Sequence, residues 1–164
     1  MLRKILFATD LGPFTSQVLE HVTSMSAQNG ASTHILHVVD PVSAFTHNLM
    51  ECRDGGIEEN YAANMNTRIR QTLMQLLESE YQDGNEAVKN IDQVDVLSGL
   101  PSALILQHSQ EMAADLIVLG SHSNGFENPE KLGSVAAAVL RHSSIPVYLV
   151  PIMKSQRLHI SSVA

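Results

Sequence analysis

The stretch Asp115-Leu-Ile-Val-Leu-Gly120-Ser-His-Ser-Asn-Gly125, followed by Leu132-Gly133-Ser134-Val135-Ala136, points most directly to chemistry. An apolar run ends in Gly120, Ser121, His122, Ser123 and Asn124, a polar loop follows, and Gly133-Ser134 opens a helix. A strand that stops in small residues and a helix that starts close by set backbone N–H groups and a helix N-terminus around one point. Such a point suits a phosphate or another anion. Asp10, just past the apolar run Lys4-Ile-Leu-Phe-Ala8, is a second polar group at a strand end.

The elements that must position these residues alternate along the chain. The continuous apolar run at 4–8 has the character of a strand buried on both faces, and 34–39, 116–119 and 146–150 are read as further strands. Gln93 to Leu97 alternates polar and apolar, which predicts an edge strand. Helical spacing runs through Phe14, Val18, Val22 and Met25 up to Gly30, and again through Ile69, Leu73, Leu76 and Leu77 up to Asp83-Gly84. Pro101 marks the start of a third helix and Val135 to Leu140 the core of a fourth. Strand and helix in alternation imply right-handed crossovers and an α/β three-layer sandwich, a parallel sheet with helices on both faces. In such sheets ligands bind beyond the carboxyl ends of the strands, where the winding reverses. Pro41 to Glu59 is a long polar connection, expected as a flap over that edge, and residues 152–164 form a polar tail.

Composition narrows the function classes. The 164 residues suffice for one domain. The net charge of −7 argues against a nucleic-acid or anionic-membrane partner, so an anion must be held locally by backbone dipoles. No apolar run approaches the ~20 residues of a membrane span, and the first apolar run is too short for a secretory signal. A single cysteine, Cys52, excludes an internal disulfide. A cytoplasmic protein is the expectation.

Taken in order, Lys4-Ile-Leu with Thr9-Asp10, His37-Val-Val-Asp40, Gly99-Leu-Pro101, Asp115 to His122, Leu132 to Ala136, Val139-Leu-Arg-His142 and Pro146-Val-Tyr-Leu-Val150 resemble the universal stress protein family. The resemblance covers about residues 2–150. It implies a five-stranded parallel sheet of order 3-2-1-4-5 within a domain of residues 1–151, and a homodimer paired through the last strand, 146–150. One branch of the family binds ATP through Gly-x2-Gly-x9-Gly-Ser/Thr; another lacks the pattern and the nucleotide. On this sequence the resemblance assigns adenine-nucleotide contacts to Ala8, Thr9, Asp10, Val38, Gly120, Ser121, His122, Ser123, Asn124, Gly133, Ser134 and Val135. ATP, ADP or AMP is the implied ligand, with Mg²⁺ beside a triphosphate.

The chain departs from that pattern at Ser123, where the family has its second glycine. Glu127 and Glu130 against Lys131 also make the adjoining loop acidic. A stress-response sensor or regulator that binds adenine nucleotide is therefore set beside a dimeric protein that binds no nucleotide and acts through protein contacts with an unknown regulatory partner. A slow ATPase is a third reading, with Asp10 and His122 as its only candidate bases.

Each residue also has a plainer explanation. Asp10 could cap the following helix, Val38 could be core, Gly120 and Gly133 could serve close packing alone, and His122 could be a turn histidine. The eight histidines show no ligand spacing: His34 and His37 fall on opposite faces of a strand, and His21, His47, His108, His142 and His159 are scattered. Metal binding is not expected, and His47, Met50 and Cys52 are assigned to a flexible loop. No nucleophile elbow, Walker A loop or dinucleotide fingerprint is present.

Overall fold

Short runs rich in Ile, Leu, Val and Phe with no polar alternation pair best where both faces are covered, and that is how 5–8 and 117–119 are used here. The computed structural model describes residues 1–42, 61–121 and 131–152, with 61–63 as backbone alone. Strands β1 (Lys4–Ala8), β2 (Ser32–Val39), β3 (Ile91–Ser98), β4 (Leu116–Gly120) and β5 (Val147–Val150) form one parallel sheet of order β3-β2-β1-β4-β5. Helices α1 (Thr15–Asn29), α2 (Tyr61–Gln82), α3 (Pro101–Glu111) and α4 (Ser134–His142) connect and cover it.

Residue parity divides the core. Ile5, Phe7, Ile35, Val94, Val118 and Val150 pack with Val18, Leu19 and Val22 of α1 and Leu73 and Leu77 of α2. Leu6, Ala8, Leu36, Ile117 and Leu119 pack on the other face with Ile105 of α3 and Ala136 and Val139 of α4. β1 is the centre: Ile5, Leu6 and Phe7 are at most 1% exposed. β3 is an edge strand, as its alternation predicts, and it is longer than the predicted span.

Local signals act where the sequence puts them. Gly30 closes α1 in the left-handed region at φ 61°, and its N–H donates to the Ser26 carbonyl. Pro101 is in the first turn of α3. Ahead of β4, Asp115 Oδ2 accepts the backbone N–H groups of Arg3 at 2.9 Å and Lys4 at 3.0 Å. These two donors hold the Asp115 carboxyl below its ordinary range and fix the start of β4 against the start of β1.

Three details were not legible beforehand. A one-turn 3₁₀ helix, Glu86–Asn90, leads into β3. Pro41 and Val42, expected in an irregular connection, are helical, with Asp40 Oδ1 accepting the Val42 N–H at 3.0 Å. The register between β2 and β3 shifts after Thr33, which pairs with Ile91 while His34 pairs with Gln93. The extra residue, Asp92, turns Gln93 and Asp95 to the face that carries His34.

Candidate functional site

Sheet order fixes where a crevice opens. The chain leaves β1 toward β2 on one side and leaves β4 toward β5 on the other, so the winding reverses between β1 and β4, which are paired neighbours. At their carboxyl ends is a cavity of about 670 Å³. Ala8, Thr9, Asp10, Val38, Gly120, Ser121, Gly133 and Val135 all line it. Of the sequence-assigned residues, Ser134 is the first residue of α4 but is not among the lining residues. His122, Ser123 and Asn124 lie outside the described residues.

The β1 side is a self-bonded loop. The Thr15 hydroxyl donates to the Gly12 carbonyl at 2.8 Å, so the 3.2 Å contact between Thr9 and Thr15 is made by the Thr9 hydroxyl donating. Thr9 Oγ1 in turn accepts the Leu11 N–H at 3.1 Å. Leu11 sits at φ 57°, in the left-handed region that costs a branched side chain roughly 1–2 kcal/mol. Asp10 Oδ1 accepts the Gly12 N–H at 2.9 Å. Asp10 therefore closes an Asx turn and does not cap the helix: α1 begins after Phe14, which makes no side-chain cap. The helix-cap explanation is replaced because the loop needs its own acceptor before the helix starts.

His37, at the end of β2, places Nδ1 2.8 Å from the Thr9 carbonyl. A carbonyl only accepts, so Nδ1 carries the proton. Burial lowers the His37 pKa, while the Thr9 hydrogen bond and the Asp10 charge pull the other way.

The opposite side is built from β4 and α4. Ser121 N–H donates to the Val150 carbonyl at 2.9 Å, and Ser121 Oγ accepts the Ile152 N–H at 3.0 Å. Gly133 N–H donates to the Ser121 carbonyl at 3.0 Å. This bond brings the N-terminus of α4 to the end of β4, as the Gly-Ser pattern predicts. Gly133 has φ −56° and ψ 145°, backbone that any residue adopts, and it lines the cavity.

The cavity is chemically divided. Val38, Pro101, Ile105 and Leu119 give an apolar wall suited to a flat ring. Asp10 and Asp40 give carboxylates at the β1–β2 end, suited to hydroxyl donors. Gly133, Val135 and Ala136 bring the start of α4 to the cavity, where a helix N-terminus favours an anion. No Lys or Arg is among the described lining residues.

Sequence reading missed His37, Ile105 and Ile152 as lining residues. Ile152, expected to open the tail, is 7% exposed and belongs to the core. Its signal was an apolar residue just after Pro151. His108, read as scattered, is not isolated in space: the β2–β3 pairing and the packing of α3 bring His34, Asp95 and His108 together. The rest of the expected flap and the tail beyond Ile152 lie outside the described residues. No described helix is long and apolar enough to cross a membrane.

The model of the universal stress protein family matches residues 1–151. Universal stress protein MJ0577 of Methanocaldococcus jannaschii is 27% identical over 158 residues, covering 92% of this chain and 95% of that protein. A solved structure of MJ0577 superposes with a TM-score of 0.71 at 25% identity, over 94% of this chain and 99% of that one. A universal stress protein solved in complex with cAMP has a TM-score of 0.54 at 18% identity, over 92% of this chain and 97% of that one. Strand order, crevice and a match over the whole described sheet agree: the chain belongs to the universal stress protein family.

Proposed function

We propose that this chain binds an adenine nucleotide in the β1–β4 crevice and acts as a stress-response sensor or regulator, as a cytoplasmic homodimer joined through residues 146–150. One observation carries the reading: an apolar wall, a carboxylate end and a helix N-terminus, from separate parts of the chain, border one cavity of about 670 Å³. The adenine would rest on the Val38 side, the ribose hydroxyls would donate to Asp10, and the phosphates would meet Gly133 and the first turn of α4. Mg²⁺ would accompany a triphosphate and offset the carboxylates. That a protein of the same fold holds cAMP supports the choice of ligand.

A second reading rests on Ser123 and the acidic loop after it: a dimer that works through protein contacts without nucleotide. Isothermal titration of the nucleotide-stripped protein with ATP and AMP, with and without Mg²⁺, separates the two, alongside an acid extract of the protein as purified. Micromolar binding or co-purified adenine nucleotide is expected. No heat at millimolar ligand together with an empty extract would leave the protein-contact reading standing.

A further inference from the structure

Three titratable side chains away from the crevice converge on the face covered by α3. His34 Nε2 is 2.9 Å from Asp95 Oδ2, His108 Nε2 is 3.3 Å from His34 Nε2, and His108 Nε2 is 3.6 Å from Asp95 Oδ2. The two imidazole rings meet edge to face, with centroids 4.8 Å apart and planes at 88°. His34 is 6% exposed, and none of the three residues lines the crevice.

We infer that His34, Asp95 and His108 form a binding site for a divalent transition metal of the zinc class, independent of the nucleotide proposal. Tetrahedral zinc bonds of about 2.0–2.1 Å set ligand atoms roughly 3.3–3.4 Å apart. The three separations straddle that value, so one ion just off the plane of the three atoms reaches all of them. Two imidazole nitrogens and one carboxylate oxygen form a donor set for zinc, cobalt or nickel. A structural hydrogen-bond cluster accounts less well for this triangle, since the single proton or lone pair on His34 Nε2 cannot serve both Asp95 Oδ2 at 2.9 Å and His108 Nε2 at 3.3 Å. It also concentrates donors on one oxygen: Gln93 Nε2 donates to Asp95 Oδ2 at 2.9 Å.

The site is built by the fold. The bulge at Asp92 puts Gln93 and Asp95 on the face of His34, a usual service of bulges, which re-aim side chains. Arg70, whose guanidinium contacts the Val94 carbonyl, lies 3.7 Å from Asp95 Oδ1, which orients the carboxylate and leaves Oδ2 inward. Three protein ligands leave a fourth position for water. A bound ion would fasten α3 to the edge of the sheet through β2 and β3.

The test titrates chelator-treated protein with Co²⁺ and then Zn²⁺. Expected are one ion per chain, the strong visible absorption of four-coordinate cobalt, its loss on adding Zn²⁺, and a higher melting temperature with Zn²⁺. Outer-shell partners of a metal are worth about 10–100-fold in affinity. Losing a ligand in Asp95→Asn or His108→Gln should therefore cost about 100-fold or more. His21→Gln and His142→Gln, at exposed positions, should bind as the parent does. No saturable binding, or binding unchanged in both ligand variants, overturns the site. Should a ligand variant lose its circular-dichroism spectrum, X-ray absorption of the zinc-loaded parent decides. Two imidazoles and a carboxylate around zinc support the site; sulfur or water alone overturns it.

Discussion

His37 Nδ1 donates a hydrogen bond to the Thr9 carbonyl at 2.8 Å, so the ends of β1 and β2 are latched together beside Asp10. The bond fixes the ring tautomer: a neutral His37 carries its proton on Nδ1 and offers Nε2 as an acceptor at the crevice. Burial favours this neutral form.

A lowered histidine pKa makes stability fall on the acid side. The unfolded chain takes up its proton near pH 6.5, about the ordinary value, before the folded chain does. The contribution is complete above about pH 6.5 and is lost as pH falls toward the folded value, at no more than about 1.4 kcal/mol per pH unit. His37→Asn, which keeps an N–H donor without a titrating ring, should flatten this part of the profile. Denaturant unfolding at about pH 7.5 and pH 5.5, on either side of the ordinary value, measures it. Equal slopes in parent and variant would remove His37 from the pH response.

Asp10 has a turn to close and, on the proposed function, a ribose to hold. Asp10→Ala should lose about 0.5–1.5 kcal/mol of stability with the Gly12 hydrogen bond. Asp10→Asn retains an acceptor for Gly12 but loses the charge. It should keep the melting temperature while binding ATP and AMP about tenfold more weakly, the scale of a charge-assisted hydrogen bond. If Asn binds as Asp does, the carboxylate serves the turn alone.

Gly133 lies in backbone open to any residue and beside the cavity. Gly133→Val should leave unfolding within about 1 kcal/mol, because no left-handed conformation is at stake. The added side chain should abolish nucleotide binding in the same titration. A folded variant with parental affinity would move the phosphates elsewhere.

Ser123 departs from the family pattern in the opposite sense. A positive φ there would cost serine roughly 1–2 kcal/mol. On that basis Ser123→Gly should tighten ATP binding about tenfold. Unchanged or weaker binding would mean that the serine hydroxyl contributes as much as glycine would.

Ala113 follows the Met112 cap of α3 at φ 52°, while Ala114 N–H reaches back to the Ser109 carbonyl at 2.9 Å. Glycine relieves the left-handed strain of roughly 1–2 kcal/mol and gives back about half in unfolded-chain entropy. Ala113→Gly should therefore stabilise the protein by about 0.5–1 kcal/mol in denaturant titration, a gain typical of such cap changes. A loss would mean that the methyl group packs better than the strain costs.

The strands were legible because Lys4 to Ala8 and Leu116 to Gly120 are covered on both faces, and burial of that kind leaves an apolar run in the sequence. Strand order was not, since pairing joins residues as far apart as Ile5 and Leu116 and leaves no local trace; it came from resemblance. The crevice residues Gly120 and Gly133 stand out as glycines at element ends. His34, Asp95 and His108 do not, because a bulge and a crossover intervene between them. Asp10 was legible as polar at a strand end, but its turn depends on where α1 begins, and Phe14 gives no capping signal.

The central place of β1 also governs how the chain must be made. Lys4 to Ala8 leaves the ribosome before the other strands, and its partner on one side, β2, follows after α1. The other side waits for Leu116 to Val118, which are translated after α1, β2, α2, β3 and α3. Throughout that interval the nascent sheet β1-β2-β3 has an open inner edge, the kind of surface that invites pairing with another chain. Insertion of β4 therefore closes the molecule, and a synthesis stalled before residue 116 yields a sticky half-sheet, a substrate for chaperones.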